Sequence, residues 1–120
     1  MAKFEKEGRV SIWLGMNRCD ESVELLPDLC GVQDYNLDDQ EVNLDDQKWK
    51  LQSVEKLLEP ISYSNSFIEE AVQAATKRGL DKALYVLCQF DFVYDPKRVK
   101  SKIEKDPIFL GHFAWDDSED

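Results

Sequence analysis

Apolar and polar positions alternate over Val10-Ser-Ile-Trp-Leu14, and the run is β-branched and aromatic, which predicts a strand ended by Gly15. The longest apolar run is Ala83 to Tyr94. Its first half has no polar alternation, as expected of a central strand covered on both faces. Asp95-Pro96 turns the chain out of it. Pro107 then leads into a last predicted strand, Ile108 to Trp115, with Asp106-Pro107 favouring a bend before it. The 83–94 and 108–115 strands are expected to be antiparallel neighbours. Asp91 interrupts the long strand, with Phe90 and Phe92 expected on the opposite face from it.

Helical spacing occurs in two places. Ser53 reads as an N-cap for a short helix carrying Val54, Leu57 and Leu58, stopped by Pro60. Ser66-Phe-Ile-Glu69 has the form of a capping box and predicts a helix through Arg78, with Phe67, Ile68, Ala71, Val72 and Ala75 as its apolar stripe. Lys77 and Arg78 suit the negative end of its dipole, and Gly79 suits the C′ position. Residues 16–50 carry weaker signals. Glu21 to Leu26 is compatible with a short helix stopped by Pro27, and Gly31 to Tyr35 with a strand or a turn. The pentapeptide Asn-Leu-Asp-Asp-Gln stands at 36–40 and again at 43–47; two copies do not make a solenoid. Residues 97–105 read as a short solvated helix or a basic loop, and the tail 116–120 as frayed. The expected fold is α+β: one domain, its core at about 9–115, built on a small, mostly antiparallel sheet with helices mainly on one face.

Charge changes this picture most. The 120 residues hold 25 acidic and 15 basic side chains, a formal net charge of −10. Residues 19–46 hold ten Asp and Glu and no Lys or Arg, so one segment carries a deficit equal to that of the whole chain. Such a balance disfavours nucleic acid and anionic membranes as partners and favours a basic one. A solvated acidic loop that keeps the protein soluble is the plain reading; a prepared surface for a cationic partner is the functional one. The first residues lack a signal-peptide apolar core and no stretch approaches a membrane span, so a cytoplasmic location is expected. Cys19, Cys30 and Cys88 form neither a disulfide framework nor a zinc spacing.

Candidate chemistry is sparse. His112, the single histidine, is placed by period two on one face with Ile108, Leu110 and Ala114, and reads as a packed or half-exposed side chain. No G-x-S-x-G, P-loop or dinucleotide fingerprint occurs. Asp34, Asp38, Asp39, Glu41, Asp45 and Asp46 are oxygen ligands of the kind calcium takes, but the EF-hand pattern is missing.

Several segments, in order, resemble the immunity protein 22 family, bacterial proteins encoded beside polymorphic toxins. They are Val10-Ser-Ile-Trp-Leu-Gly15, Gly31-Val-Gln-Asp-Tyr-Asn-Leu-Asp-Asp-Gln-Glu41, Ser62-Tyr-Ser-Asn-Ser-Phe-Ile68, Asp81-Lys-Ala through Phe90-Asp-Phe-Val-Tyr-Asp95, and Phe109-Leu-Gly-His-Phe113. Together they cover about 9–117. The resemblance implies a small α+β protein that neutralises a cognate toxin. The family's aromatic and acidic cluster falls here on Tyr35, Asp38, Asp39 and Glu41, while Asn36 stands where an acid is expected and the segment after Gly15 is short.

The reading that follows is a non-enzymatic immunity protein without cofactor or metal. It would bind a basic toxin domain, nuclease-like in its need for a basic cleft, and block its active site by bulk and charge. The expected contact residues are Asp34, Tyr35, Asp38, Asp39, Glu41, Asp45 and Asp46, with Trp49 as an aromatic anchor and the acids setting rate and register. Trp13 and Trp115 are assigned to the core or its margin. The alternatives are a small acidic module that binds calcium or another ligand for regulation, and a small enzyme using His112 and Asp91. The sequence leaves the oligomeric state and the toxin's chemistry open.

Overall fold

The Val10–Leu14 alternation becomes the second half of β1 (Glu5–Gly15) in the computed structural model, which describes residues 4–17, 25–33, 35–44, 51–99, 103 and 105–116. After β1 come β2 (Gln40–Leu44), β3 (Gln52–Ser53), α1 (Val54–Leu58), α2 (Ile68–Lys77), β4 (Lys82–Ala83), β5 (Tyr85–Phe92) and β6 (Ile108–Ala114). Four strands form an antiparallel sheet in the order β2-β5-β1-β6, and β3 pairs separately with β4. The fold is α+β.

β1 lies between β5 and β6, so the two C-terminal strands are not the neighbours the sequence suggested. The reason is burial. Val10, Ile12 and Leu14 pack on one face of the sheet and Trp13 on the other, so β1 needs cover on both faces and a partner on each edge. Both helices cover the first face, where Val54, Leu57, Leu58, Phe67, Ala71 and Ala75 meet Val10, Ile12 and Leu14 of β1 and Val86, Cys88 and Phe90 of β5. The second face is closed by Phe4, Leu26, Cys30, Val32, Phe92 and Tyr94 around Trp13 and Leu87.

Two irregularities break period two. Asp91 has φ 56°, and the β1–β5 register shifts beside it. Phe90 therefore joins the helix-side core while Phe92 joins the other, correcting the expectation that they share a face. Ser11 bridges the disturbed ladder: its hydroxyl donates to the Phe92 carbonyl (2.8 Å) and accepts from the Tyr94 amide (3.0 Å). A second register shift in β6 sends Leu110 to the helix side and leaves His112 exposed, so those two do not share a face either.

The helix ends follow local chemistry. Ser53 caps α1, accepting from the Lys56 amide at 3.2 Å. α2 ends in a Schellman motif: Gly79 has φ 71°, its amide bonds the Thr76 carbonyl, and the Leu80 amide bonds that of Ala75. The capping box is not formed. Ser66 lies inside a 3-10 turn, Ser64–Ser66, and its hydroxyl donates to the Tyr63 carbonyl (2.7 Å) instead. Leu25–Leu29 forms one wide turn that passes through Pro27 rather than stopping there; a proline this early displaces no helical donor. The rest of the expected 21–26 helix lies outside the described residues.

Candidate functional site

The acidic segment is folded against the sheet by its polar neighbours. The Asn36 side chain accepts from the Asp38 amide (3.0 Å) and opens a 3-10 turn, Leu37–Asp39. Buried Gln89 of β5 donates to the Asn36 carbonyl (2.8 Å) and pairs with Gln40 in register. The chain then enters β2, a strand the sequence did not announce. Glu41 and Asn43 turn toward the helices, where a Glu41 carboxylate oxygen accepts from the Ser62 amide (3.0 Å) and the Asn43 amide donates to the Leu57 carbonyl (2.8 Å). The first Asn-Leu-Asp-Asp-Gln copy is a capped turn; Asn43 and Leu44, which open the second, end β2, and the rest of that copy lies outside the described residues.

Opposite this turn stands the bulge of β5. The Asp91 carboxylate accepts from the Gly8 amide (2.9 Å), and the Gly8 carbonyl accepts from the Trp115 amide (3.1 Å). That link brings the end of β6 beside the bulge. The Trp115 indole stacks on Tyr63 (centroids 4.9 Å apart, rings inclined 26°), and Phe90 meets both rings edge-on. Between the acidic turn and these rings is an open cleft of about 270 Å³. Asp38, Asp39, Glu41 and Asp91 line it with carboxylates; Tyr63, Phe90 and Trp115 line it with rings; Ser62 completes it.

The Asp39 carboxyl is perturbed by its surroundings. Partial burial, and then the charges of Asp91, Asp38 and Glu5, push its carboxyl above the ordinary range. The folded protein therefore holds that proton more tightly than the unfolded chain. The resulting cost to stability is absent below the ordinary carboxylate pKa and fully present above the raised one. Asp39→Asn is expected to melt higher than the parent at neutral pH, with the gain vanishing near about pH 3. Paired thermal melts at the two pH values check this, and a gain that persisted in acid would contradict it.

The structure brings Asp38, Asp39 and Glu41 to the cleft. Tyr35 is half-buried against the second core cluster and does not line it. Asp34, Asp45, Asp46 and Trp49 lie outside the described residues. Sequence reasoning missed Tyr63, Phe90 and Trp115 as site residues. Asp91 gave a visible signal as a charge within an apolar strand. Among the described residues, no group of three or more His, Cys, Asp or Glu is placed to hold a metal ion. His112 is not part of the cleft. Its Nδ1 accepts from Arg9 (3.1 Å), and burial together with Arg9 and Lys6 lowers its pKa. Among the described residues its side-chain partner is the Arg9 guanidinium, whereas a general-base histidine is oriented by a carboxylate. Burial drives the Cys30 thiol up to about 12 and raises Cys88 further, so both are unreactive core residues.

No family model, curated protein or solved structure matches this chain. Among the described residues, no helix is long and apolar enough to cross a membrane.

Proposed function

We propose that this chain is an immunity-type inhibitor: it binds a basic bacterial toxin domain in the cytoplasm of the producing cell and blocks its active site without catalysing a reaction. The supporting observation is the convergence of four carboxylates from two distant parts of the chain, residues 38–41 and Asp91, on one open cleft, where the charges acting on Asp39 are all of its own sign. Like charges held together raise the energy of the free protein, and a cationic partner relieves it. A toxin that grips nucleic acid has such a cationic surface, and carboxylates can occupy it in place of phosphates. The resemblance of the ordered segments from Val10 to Phe113 to immunity proteins supplies the biological setting.

The test is growth rescue. The toxin-type domain encoded beside the gene is expressed in the same cytoplasm with and without this protein. Rescue together with a one-to-one complex supports the proposal; undiminished toxicity with no complex overturns it. A calcium-binding role predicts a higher melting temperature in millimolar calcium by mass action. Among the described residues no three carboxylates are placed to hold one ion, which favours no such shift.

A further inference from the structure

The cleft has more character than a patch of charge. One side is a stacked pair of rings, Tyr63 on Trp115, with Phe90 edge-on to both. The other carries Asp38 and Asp39 on the turn, with Glu41 following them, while Asp91 lines the cleft from the β5 bulge opposite the turn. The carboxylates do not gather into a set fit for a metal ion. They are spread around a space of about 270 Å³, far more than a bare cation fills. Two of the four are anchored, Glu41 by the Ser62 amide and Asp91 by the Gly8 amide, so the walls are positioned before any partner arrives.

From this charge and shape we infer that the cleft receives one arginine side chain presented by the protein partner. The inference rests on the proposed function above, because it names the partner group that the acidic surface captures. A guanidinium is planar, stacks on aromatic faces and offers a fork of donors to carboxylates. Lysine has the charge without the plane or the fork, and calcium needs six to eight convergent oxygens. Arginine is therefore the cation that uses both walls. Its stem lies along the rings and its head reaches Asp39 and Asp91, whose mutual repulsion it relieves.

The test needs no toxin. The isotope-labelled full chain is titrated at low salt with acetylated, amidated Gly-Arg-Gly, Gly-Lys-Gly and Gly-Ala-Gly, and separately with calcium chloride, while amide and indole resonances are followed. The arginine peptide is expected to move the Trp115 indole and Ser62 amide signals at lower concentration than the lysine peptide, and the alanine peptide not to move them. Asp91→Asn keeps the acceptor for Gly8, and Trp115→Leu removes the stacked ring; each is expected to weaken arginine binding about threefold to fivefold. Glu69→Gln, on the exposed face of α2, is expected to change nothing. A dispersed spectrum for each variant shows that it folds. Equal response to lysine and arginine, a response to calcium alone, or no response at the cleft overturns the inference. None of these results decides growth rescue. A rescuing protein with a silent cleft would mean that the toxin is held elsewhere, whereas an arginine-binding cleft without rescue would remove the immunity reading and leave the site.

Discussion

Replacing Gly15 with alanine is expected to destabilise the protein by about 3 kcal/mol or more, through overpacking that the core cannot relax. Gly15 ends β1 directly opposite Tyr85, and the Tyr85 ring lies across the glycine where a Cβ would stand. The ring has no route aside, since Tyr85 is 1 % exposed and its backbone pairs with β1 on one side and β2 on the other. An aromatic ring laid over a strand glycine recovers the packing that the missing side chain forfeits. The substitution therefore displaces a core ring or parts two strands. Urea unfolding of Gly15→Ala measures the cost, and Gly15→Ala with Tyr85→Leu tests its cause. The pair should be distinctly less destabilised than the two single changes added together, because the clash disappears with the ring. A Gly15→Ala protein as stable as its parent would show that the ring moves freely.

The same strand pairing shows where sequence reading stops. β1, β5, β6 and the end of α2 were legible because each is set by neighbours close in the chain: alternation for β1, an apolar run for β5, and Lys77-Arg78-Gly79 for the helix end. The capping box at Ser66 failed against an equally local competitor, the tight turn that claimed its hydroxyl. Strand order could not be read, because β1 takes partners about a hundred residues away in β6 and nothing in its own pattern names them. The phase changes at Asp91 and Leu110 were hidden for a related reason. A bulge is dictated by what both faces of the sheet must bury, and not by the strand alone.

The candidate site divides along the same line. Asp38, Asp39 and Glu41 stood out as members of a charge run. Their opposite wall did not, since Tyr63, Asp91 and Trp115 come from distant parts of the chain and meet only through the Gly8 link and the ring stack. Gln89 carried no signal of its own in the sequence. In the fold it is 1 % exposed and holds the acidic turn in place through the Asn36 carbonyl. A buried amide with its bonds satisfied is a costly way to fill a core position. Here it ties down the Asn36 carbonyl at the start of the turn that carries Asp38 and Asp39. The fold thus spends stability to keep like charges close, which is the usual direction of compromise at binding surfaces.

The largest functional effect should come from discharging the cleft without reshaping it. Asp38→Asn, Asp39→Asn, Glu41→Gln and Asp91→Asn combined keep every side-chain oxygen now accepting an amide: that of Glu41 for Ser62 and that of Asp91 for Gly8. The variant should fold, and it should melt slightly higher than the parent at neutral pH once the repulsion on Asp39 is gone. Its association with the proposed toxin partner should nonetheless slow about a hundredfold at low salt, because clustered charge accelerates encounter by 10–10³. In about 1 M salt the Debye length falls to about 3 Å, and the two proteins should then associate at similar rates. Stopped-flow mixing across a salt series separates this from lost contact area, which would raise the dissociation rate at every ionic strength. An association rate unchanged at low salt would place the interface away from the cleft. A slowed rate that persisted in high salt would mean that the amides had altered its shape. Only loss of steering together with retained or raised stability fits a surface whose charges burden the free protein and serve the complex.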